Sequence, residues 1–92
     1  MNLTLEYLAQ IKQAAGKSSE TILTDETATL GSVLLDAANR LGSAFSSLVF
    51  NESRHFRSSL LIMINDEQVE ADLRRALKPN DRVTLLSPMS GG

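Results

Sequence analysis

A chain of 92 residues is the size of one small domain, and with 42% apolar and 22% charged residues it has the composition of a folded globule. Nine Lys and Arg against eleven Asp and Glu give a net charge of −2, which leaves no basic field for a phosphate backbone, and 4% aromatic residues are too few for base stacking. Cysteine is absent and His55 is the single histidine, which excludes disulfides, thiolate metal sites and a thiol nucleophile and leaves one imidazole too few for a histidine-built metal centre.

From the N-terminus, Leu3, Leu5 and Tyr7 alternate with Thr4 and Glu6, and period 2 predicts a half-buried strand over Asn2 to Leu8. Ala9 to Ala15 switches to good helix formers and Gly16 stops them, so a short helical turn is expected before a second strand, Glu20 to Leu23, that pairs with the first. Thr29 precedes the clearest element: Leu30, Val33, Leu34, Ala37, Ala38 and Leu41 form one helical stripe, with Ser32, Asp36, Asn39 and Arg40 on the opposite side. Thr29 is placed to cap this helix, and Gly42 sits where a left-handed terminating residue is wanted. Ser43 to Ser59 is less regular. The spacing of Phe45, Leu48, Val49 and Phe50 predicts a short helix followed by an excursion loop.

Leu60 to Ile64 is an unbroken apolar run, Asn65-Asp66 is turn chemistry, and Gln68 to Glu70 resumes extended, which predicts a hairpin. Ala71 to Leu77 is expected to make one or two helical turns, Pro79-Asn80-Asp81 a turn, and Arg82 to Leu86 the last strand. The expected product is an α+β domain over residues 1–87, a mixed sheet of about five strands with one main helix on one face, followed by a C-terminal tail, 88–92. The first and last strands, Leu3–Tyr7 and Val83–Leu86, are expected to lie side by side in parallel, which the long connection through the helix permits.

No enzyme constellation is visible. There is no GxxxxGK[ST] or GxGxxG phosphate loop, and His55 between Arg54 and Phe56 reads as a loop histidine. Asp66, Glu67, Glu70 and Asp72 lack calcium-loop spacing and read as a solvated hairpin. Arg74, Arg75, Lys78 and Arg82 read either as a solvated face or as a docking patch for an acidic partner. No run approaches the ~18–20 apolar residues of a membrane span, and the start of the chain has no charged segment followed by an apolar stretch, so the expected location is the cytoplasm, with no membrane or nucleic-acid partner. In a sheet covered on one face, Leu60, Ile62 and Ile64 alternate with the equally apolar Leu61 and Met63. Either Phe45 to Phe50 covers the second face, or Met63 and Leu86 stand in a partner surface.

The end of the chain carries the remaining signal. Gly91-Gly92 follows Pro88, Met89 and Ser90. Residues without a Cβ make a thin segment that can thread a narrow channel, and the one group it presents is a main-chain carboxylate. A carboxylate resists nucleophiles until it is activated, and adenylation with ATP would provide a leaving group. The machinery for that step would belong to a partner.

With its strand order, helix position and terminus, the chain resembles the MoaD/ThiS sulfur-carrier family over nearly its full length. The resemblance rests on the opening strand running into Ala9-Gln10-Ile11-Lys12 and Gly16, the helix after Thr29, the hairpin Ile62-Met63-Ile64-Asn65-Asp66-Glu67, and above all the segment Asn80-Asp81-Arg82-Val83-Thr84-Leu85-Leu86-Ser87-Pro88-Met89-Ser90-Gly91-Gly92. Molybdopterin synthase small subunits end similarly, on a G-D-x-V strand, a proline and Gly-Gly. The resemblance implies a β-grasp, ubiquitin-like fold and a carrier with no metal or bound cofactor of its own. It implies that an E1-like enzyme adenylates Gly92 with ATP, that a sulfur donor converts it to a thiocarboxylate, and that Gly91, with Ser90 in the tail, lets it pass into the partner's active site; Pro88 and Met89 are expected to bind the partner together with Met63 and Leu86. In the molybdopterin branch that partner is the synthase large subunit. A carrier for cysteine or another thio-metabolite, a ubiquitin-like modifier joined to lysines, and a passive binding module remain alternatives. Asn80 stands where the family usually has glycine, and Ser87-Pro88-Met89 replaces the commoner paired prolines or Pro-Ala.

Overall fold

The computed structural model describes residues 1–88. Its first strand, β1 (Asn2–Leu8), buries Leu3, Leu5 and Tyr7 and turns Thr4, Glu6 and Leu8 to the other side. Helix α1 (Ala9–Ala15) buries Ile11 and Ala15 and ends on Gly16 at φ +78°, whose N–H donates to the Lys12 carbonyl. That left-handed residue turns the chain back into β2 (Ser19–Leu23), antiparallel to β1 with Leu3 opposite Ile22 and Leu5 opposite Glu20.

Helix α2 (Leu30–Leu41) follows its capping signal: the Ser32 N–H donates to Thr29 Oγ1 at 3.1 Å and the Thr29 N–H to Ser32 Oγ at 2.9 Å. The apolar stripe is buried at Leu30, Val33, Leu34, Ala37 and Ala38, while Ser32, Asp36, Asn39 and Arg40 are exposed. Helix α3 (Ser43–Val49) buries Phe45 and Val49, and the Phe45 ring meets Tyr7 edge to face at 5.4 Å. The excursion after it is a built loop. Phe50 stacks on Phe56 at 5.2 Å, and the Asn51 carboxamide oxygen accepts from the Ser53 and His55 amides.

Strands β3 (Leu61–Ile64) and β4 (Glu67–Val69) form the expected hairpin, and β5 (Arg82–Ser87) closes the sheet in the order β2-β1-β5-β3-β4. The β1–β5 pair is parallel and the rest antiparallel. The core lies between the inner residues of the sheet (Leu3, Leu5, Tyr7, Ile62, Val83, Leu85) and the buried sides of the helices. This is the α+β, β-grasp arrangement expected from the sequence.

Two local expectations fail. Residues 71–77 form no helix. The carbonyls of Leu73 and Arg75 accept from the Gly31 and Leu30 amides, each at 2.8 Å, and the Leu77 N–H reaches Ala28. This segment spends its backbone on the free amides at the start of α2, which is incompatible with i→i−4 bonding inside itself. Gly42 has the positive φ expected (+98°), but its ψ of 179° is extended, not left-handed helical. Its N–H donates to Ala38 while its carbonyl accepts from Ser46, so one residue ends α2 and starts α3 with no room for a longer cap.

Candidate functional site

The register of three central strands decides which side chains share the outer face of the sheet. Leu8 lies beside Leu86, and Leu86 beside Leu61, which makes one row across β1, β5 and β3. The next outward row is Glu6, Thr84, Met63 and Gln68, and the next contains Thr4 and Arg82. Leu8 is 40% exposed, and Leu61, Met63 and Leu86 are half-buried and stand outside the core cluster. The loop alternative for covering this face does not hold, because Phe45, Val49 and Phe50 are packed into the core on the opposite side of the sheet. Met63 and Leu86 therefore stand on the outer face, joined by Leu61. Leu8 escaped the sequence reading, although its phase with Thr4 and Glu6 was the available signal.

The face is divided along the strand direction. Its far end is polar. Thr84 Oγ1 donates to Glu6 Oε1 at 2.9 Å, Arg82 Nε lies 3.5 Å from the same carboxylate, and the Arg82 guanidinium also bonds Asp66. Arg82 is thus tied to the sheet and does not form one patch with Arg74, Arg75 and Lys78, which are exposed on the preceding loop. The apolar end is where β5 leaves the sheet: Ser87 is buried beside Ala9, and Pro88 is exposed. Met89, Ser90, Gly91 and Gly92 lie outside the described residues.

The Asn80-Asp81-Arg82-Val83 motif at the start of β5 has a structural explanation. Asn80 adopts φ +68°, the left-handed region where glycine is at ease and Asn is tolerated. The Asp81 carboxylate, on a residue only 8% exposed, accepts from the Lys78 amide and from Asn65 Nδ2, each at 2.8 Å, while Asn65 Oδ1 accepts from the Arg82 amide at 2.9 Å. Val83 is wholly buried. These groups lock the turn before β5 to the β3–β4 hairpin and so fix the register of the strand that carries the tail. Neither side chain was singled out from the sequence for this role.

A second unforeseen network ties α2 to the sheet. The buried Tyr7 hydroxyl donates to Glu20, which also takes Arg40 Nη1 at 3.0 Å and lies 3.7 Å from Lys17 Nζ; Arg40 Nε reaches Asp36 at 2.9 Å. Burial, then the hydrogen bond to Glu20, pushes the Tyr7 hydroxyl far above its ordinary pKa. Burial opposes the Glu20 carboxylate, but the Tyr7 and Arg40 hydrogen bonds and the Arg40 and Lys17 charges outweigh it and hold that carboxyl below its usual range.

His55 is exposed in the excursion loop, and Asp66, Glu67, Glu70 and Asp72 are exposed around the hairpin. Among the described residues no group of His, Asp or Glu is arranged to hold a metal ion, and no helix is long and apolar enough to cross a membrane. What the site offers is a partly exposed apolar row beside the end of β5.

Comparison with known proteins gives that face a context. The ThiS family pattern matches residues 5–92. No curated protein sequence matches the chain. Among solved structures, SAMP1 from Haloferax volcanii superposes with a TM-score of 0.84 at 26% identity, covering 100% of both chains. A putative molybdopterin converting factor, subunit 1, from Pyrococcus furiosus gives 0.75 at 24% identity over 97% of this chain and 99% of that one. CysO from Mycobacterium tuberculosis gives 0.71 at 22% over 92% and 97%. The last two likenesses concern the fold.

Proposed function

The chain belongs to the ThiS family, and from that premise we propose that it is a sulfur carrier whose reactive group is the Gly92 carboxylate. Proteins of this family are small carriers or modifiers rather than enzymes, and they work with E1-like activating enzymes and sulfur acceptors. The observation that carries the reading is that the matched pattern runs through residue 92 and so includes Gly91-Gly92.

The chemistry is borne by the partner. The carboxylate attacks the α-phosphorus of ATP bound by the activating enzyme, pyrophosphate leaves, and Gly92 becomes an acyl adenylate. Hydrosulfide from a sulfur donor attacks the acyl carbon, the acyl–phosphate bond breaks, AMP leaves, and a thiocarboxylate remains. Gly91 and Ser90 bring no bulky side chain into the partner's channel, the row of Leu8, Leu61, Met63 and Leu86 docks first the activating enzyme and then the acceptor, and Pro88 and Met89 are assigned to the same partner contact. The carrier itself holds no metal or cofactor, and its site of action is the cytoplasm. The acceptor reading is molybdopterin synthesis with a synthase large subunit, supported by the likeness of residues 80–92 to the ends of molybdopterin synthase small subunits. Supply of sulfur for cysteine or another thio-metabolite uses the same chemistry. A modifier role, with a lysine amine attacking the activated Gly92, is favoured by the likeness to SAMP1, whose name expands to small archaeal modifier protein 1.

The test is mass spectrometry of the protein recovered from cells. A C-terminal peptide heavier by replacement of one oxygen with sulfur, absent after deletion of Gly92, is expected. Gly-Gly remnants on lysines of other proteins would select the modifier reading. If no activating enzyme forms an acyl adenylate on the intact chain, the proposal fails.

A further inference from the structure

The sheet has a second open feature, the edge strand β2, whose Leu23 lies at the opposite end of the sheet from the point where β5 stops. Met1 and Thr24 exchange main-chain hydrogen bonds, and the Tyr7 amide donates to Ser18. In an antiparallel pair, hydrogen-bonded and non-hydrogen-bonded positions alternate. Glu20 and Ile22 therefore direct their amides and carbonyls to β1, while Ser19, Thr21 and Leu23 direct theirs away from the sheet. β2 is an edge strand, and Ser19–Leu23 contains neither Lys nor Pro to blunt it. The other edge, β4, is only three residues long, begins with Glu67 and is followed by Glu70.

Beside this edge runs a groove of about 510 Å³ between the end of β2 and the first turns of α2, lined by Ile22, Leu23, Thr24, Ala28, Val33 and Asp36 among others. Leu23 is 80% exposed, the most exposed large apolar side chain among the described residues. The Thr24 hydroxyl is buried there without a hydrogen-bond partner among those residues. The mouth is acidic, with Asp25 and Asp36 lining it and Glu26 exposed next to Asp25. Of the nearby cations, the Met1 amino group is spent on the Thr24 carbonyl, and Arg40 is shared between Asp36 and Glu20.

We propose that this edge and groove dock an extended segment of another protein, about five residues long with apolar, β-branched side chains and a flanking Lys or Arg, which adds to the sheet as a sixth strand. Its main chain pairs with the outward groups of Thr21 and Leu23, its inward side chains fill the groove against Ile22, Ala28 and Val33, and its cation meets Asp25 and Asp36. Main-chain pairing supplies affinity and the acidic mouth supplies selection. Because Leu23 pairs with Asn2 at the end of β1 away from Leu8, an occupant here leaves the row at Leu8 and Leu86 free. The site tethers a partner while the other face is engaged, and it stands whether or not Gly92 carries sulfur.

The probe is a synthetic peptide, Lys-Ile-Thr-Val-Ile-Lys with blocked ends, titrated into the full chain and followed by amide NMR and hydrogen exchange. Binding is expected to slow exchange of the Thr21 and Leu23 amides at least tenfold while leaving the already paired Glu20 and Ile22 amides unchanged. The same peptide with Glu for both Lys residues is expected to bind at least tenfold more weakly. Thr21→Pro removes only an outward N–H, which edge strands tolerate, and should abolish binding with the thermal melt retained. Asp25→Asn with Asp36→Asn keeps hydrogen-bond acceptors and should erase the preference for the Lys peptide. Equal binding of the two peptides, perturbation at Leu8 and Met63 in place of β2, no binding at millimolar peptide, or concentration-dependent protection of the β2 edge without peptide, which would mean a second copy occupies it, would each overturn the proposal.

Discussion

At position 80 the backbone itself dictates the residue. With φ at +68°, a β-branched side chain would pay for the left-handed region, whereas glycine enters it freely and asparagine at modest cost. Asn80→Gly should leave stability within about 1 kcal/mol, and Asn80→Val should cost about 1–2 kcal/mol, read from urea denaturation midpoints. Asp81 is constrained differently. Its carboxylate faces two donors, the Lys78 amide and Asn65 Nδ2, so Asp81→Asn turns a donor towards a donor and should cost about 1–3 kcal/mol. An Asp81→Asn variant as stable as the parent would mean that the turn before β5 is held by its backbone alone. These two residues give the Asn80-Asp81 step a structural role, to build the turn into β5 and fix its register, apart from the chemistry proposed for Gly92.

Among the elements, the start of α2 shows where sequence patterning succeeds and where it stops. The helix and its cap were legible from Thr29 and the spacing of Leu30, Val33, Leu34, Ala37 and Ala38, because capping and amphipathic periodicity are local. The absence of helix at 71–77 was not legible, because the carbonyls of Leu73 and Arg75 are claimed by a partner some forty residues away in sequence. The approach is close. A Cβ on Gly31 would lie 2.7 Å from the Leu73 carbonyl oxygen. Gly31→Ala should therefore destabilise by about 1–3 kcal/mol despite the higher helix propensity of alanine, checked by chemical denaturation. A stabilised alanine variant would show that the 70–77 segment yields freely.

The Tyr7–Glu20–Arg40 network acts between helix and sheet and gives the stability a pH dependence. The folded Glu20 carboxyl titrates below its unfolded value of about 4.3, so its contribution is fully present above that pH and is lost as pH falls through the folded pKa. Glu20→Gln should cost about 1 kcal/mol at pH 7, with the difference from the parent beginning to shrink as pH falls below the unfolded value and vanishing once the folded carboxyl is protonated. A difference that stays constant from pH 7 to pH 3 would show that the charge of Glu20 has no part in it. Asn39, exposed on α2 outside this network, serves as the control position.

Over the whole molecule, the sheet divides two tasks. Its inner face builds the core with α2 and α3, and its outer face presents Leu8, Leu61, Met63 and Leu86 beside the exit of β5. Met63→Asp with Leu86→Asp should leave the melting temperature within a few degrees, since neither side chain belongs to the core cluster. The same pair should abolish capture of the activating enzyme in a pull-down. Capture undiminished by both charges would remove the outer face from the docking scheme.

The sequence by itself determined what depends on neighbours along the chain: the strands, the capped helix, the hairpin, the expected parallel pairing of the first and last strands, and the family likeness that ends in Gly91-Gly92. Tertiary structure decided what depends on residues far apart. It brought Leu8 into a row with Leu86 and Leu61, placed Phe45 and Phe50 inside so that they do not cover the outer face, separated Arg82 from the other basic residues, and drew 71–77 out of a helix to cap α2. Propensity, capping and periodicity act within a few residues, whereas register and the satisfaction of buried backbone groups are settled only when distant segments meet.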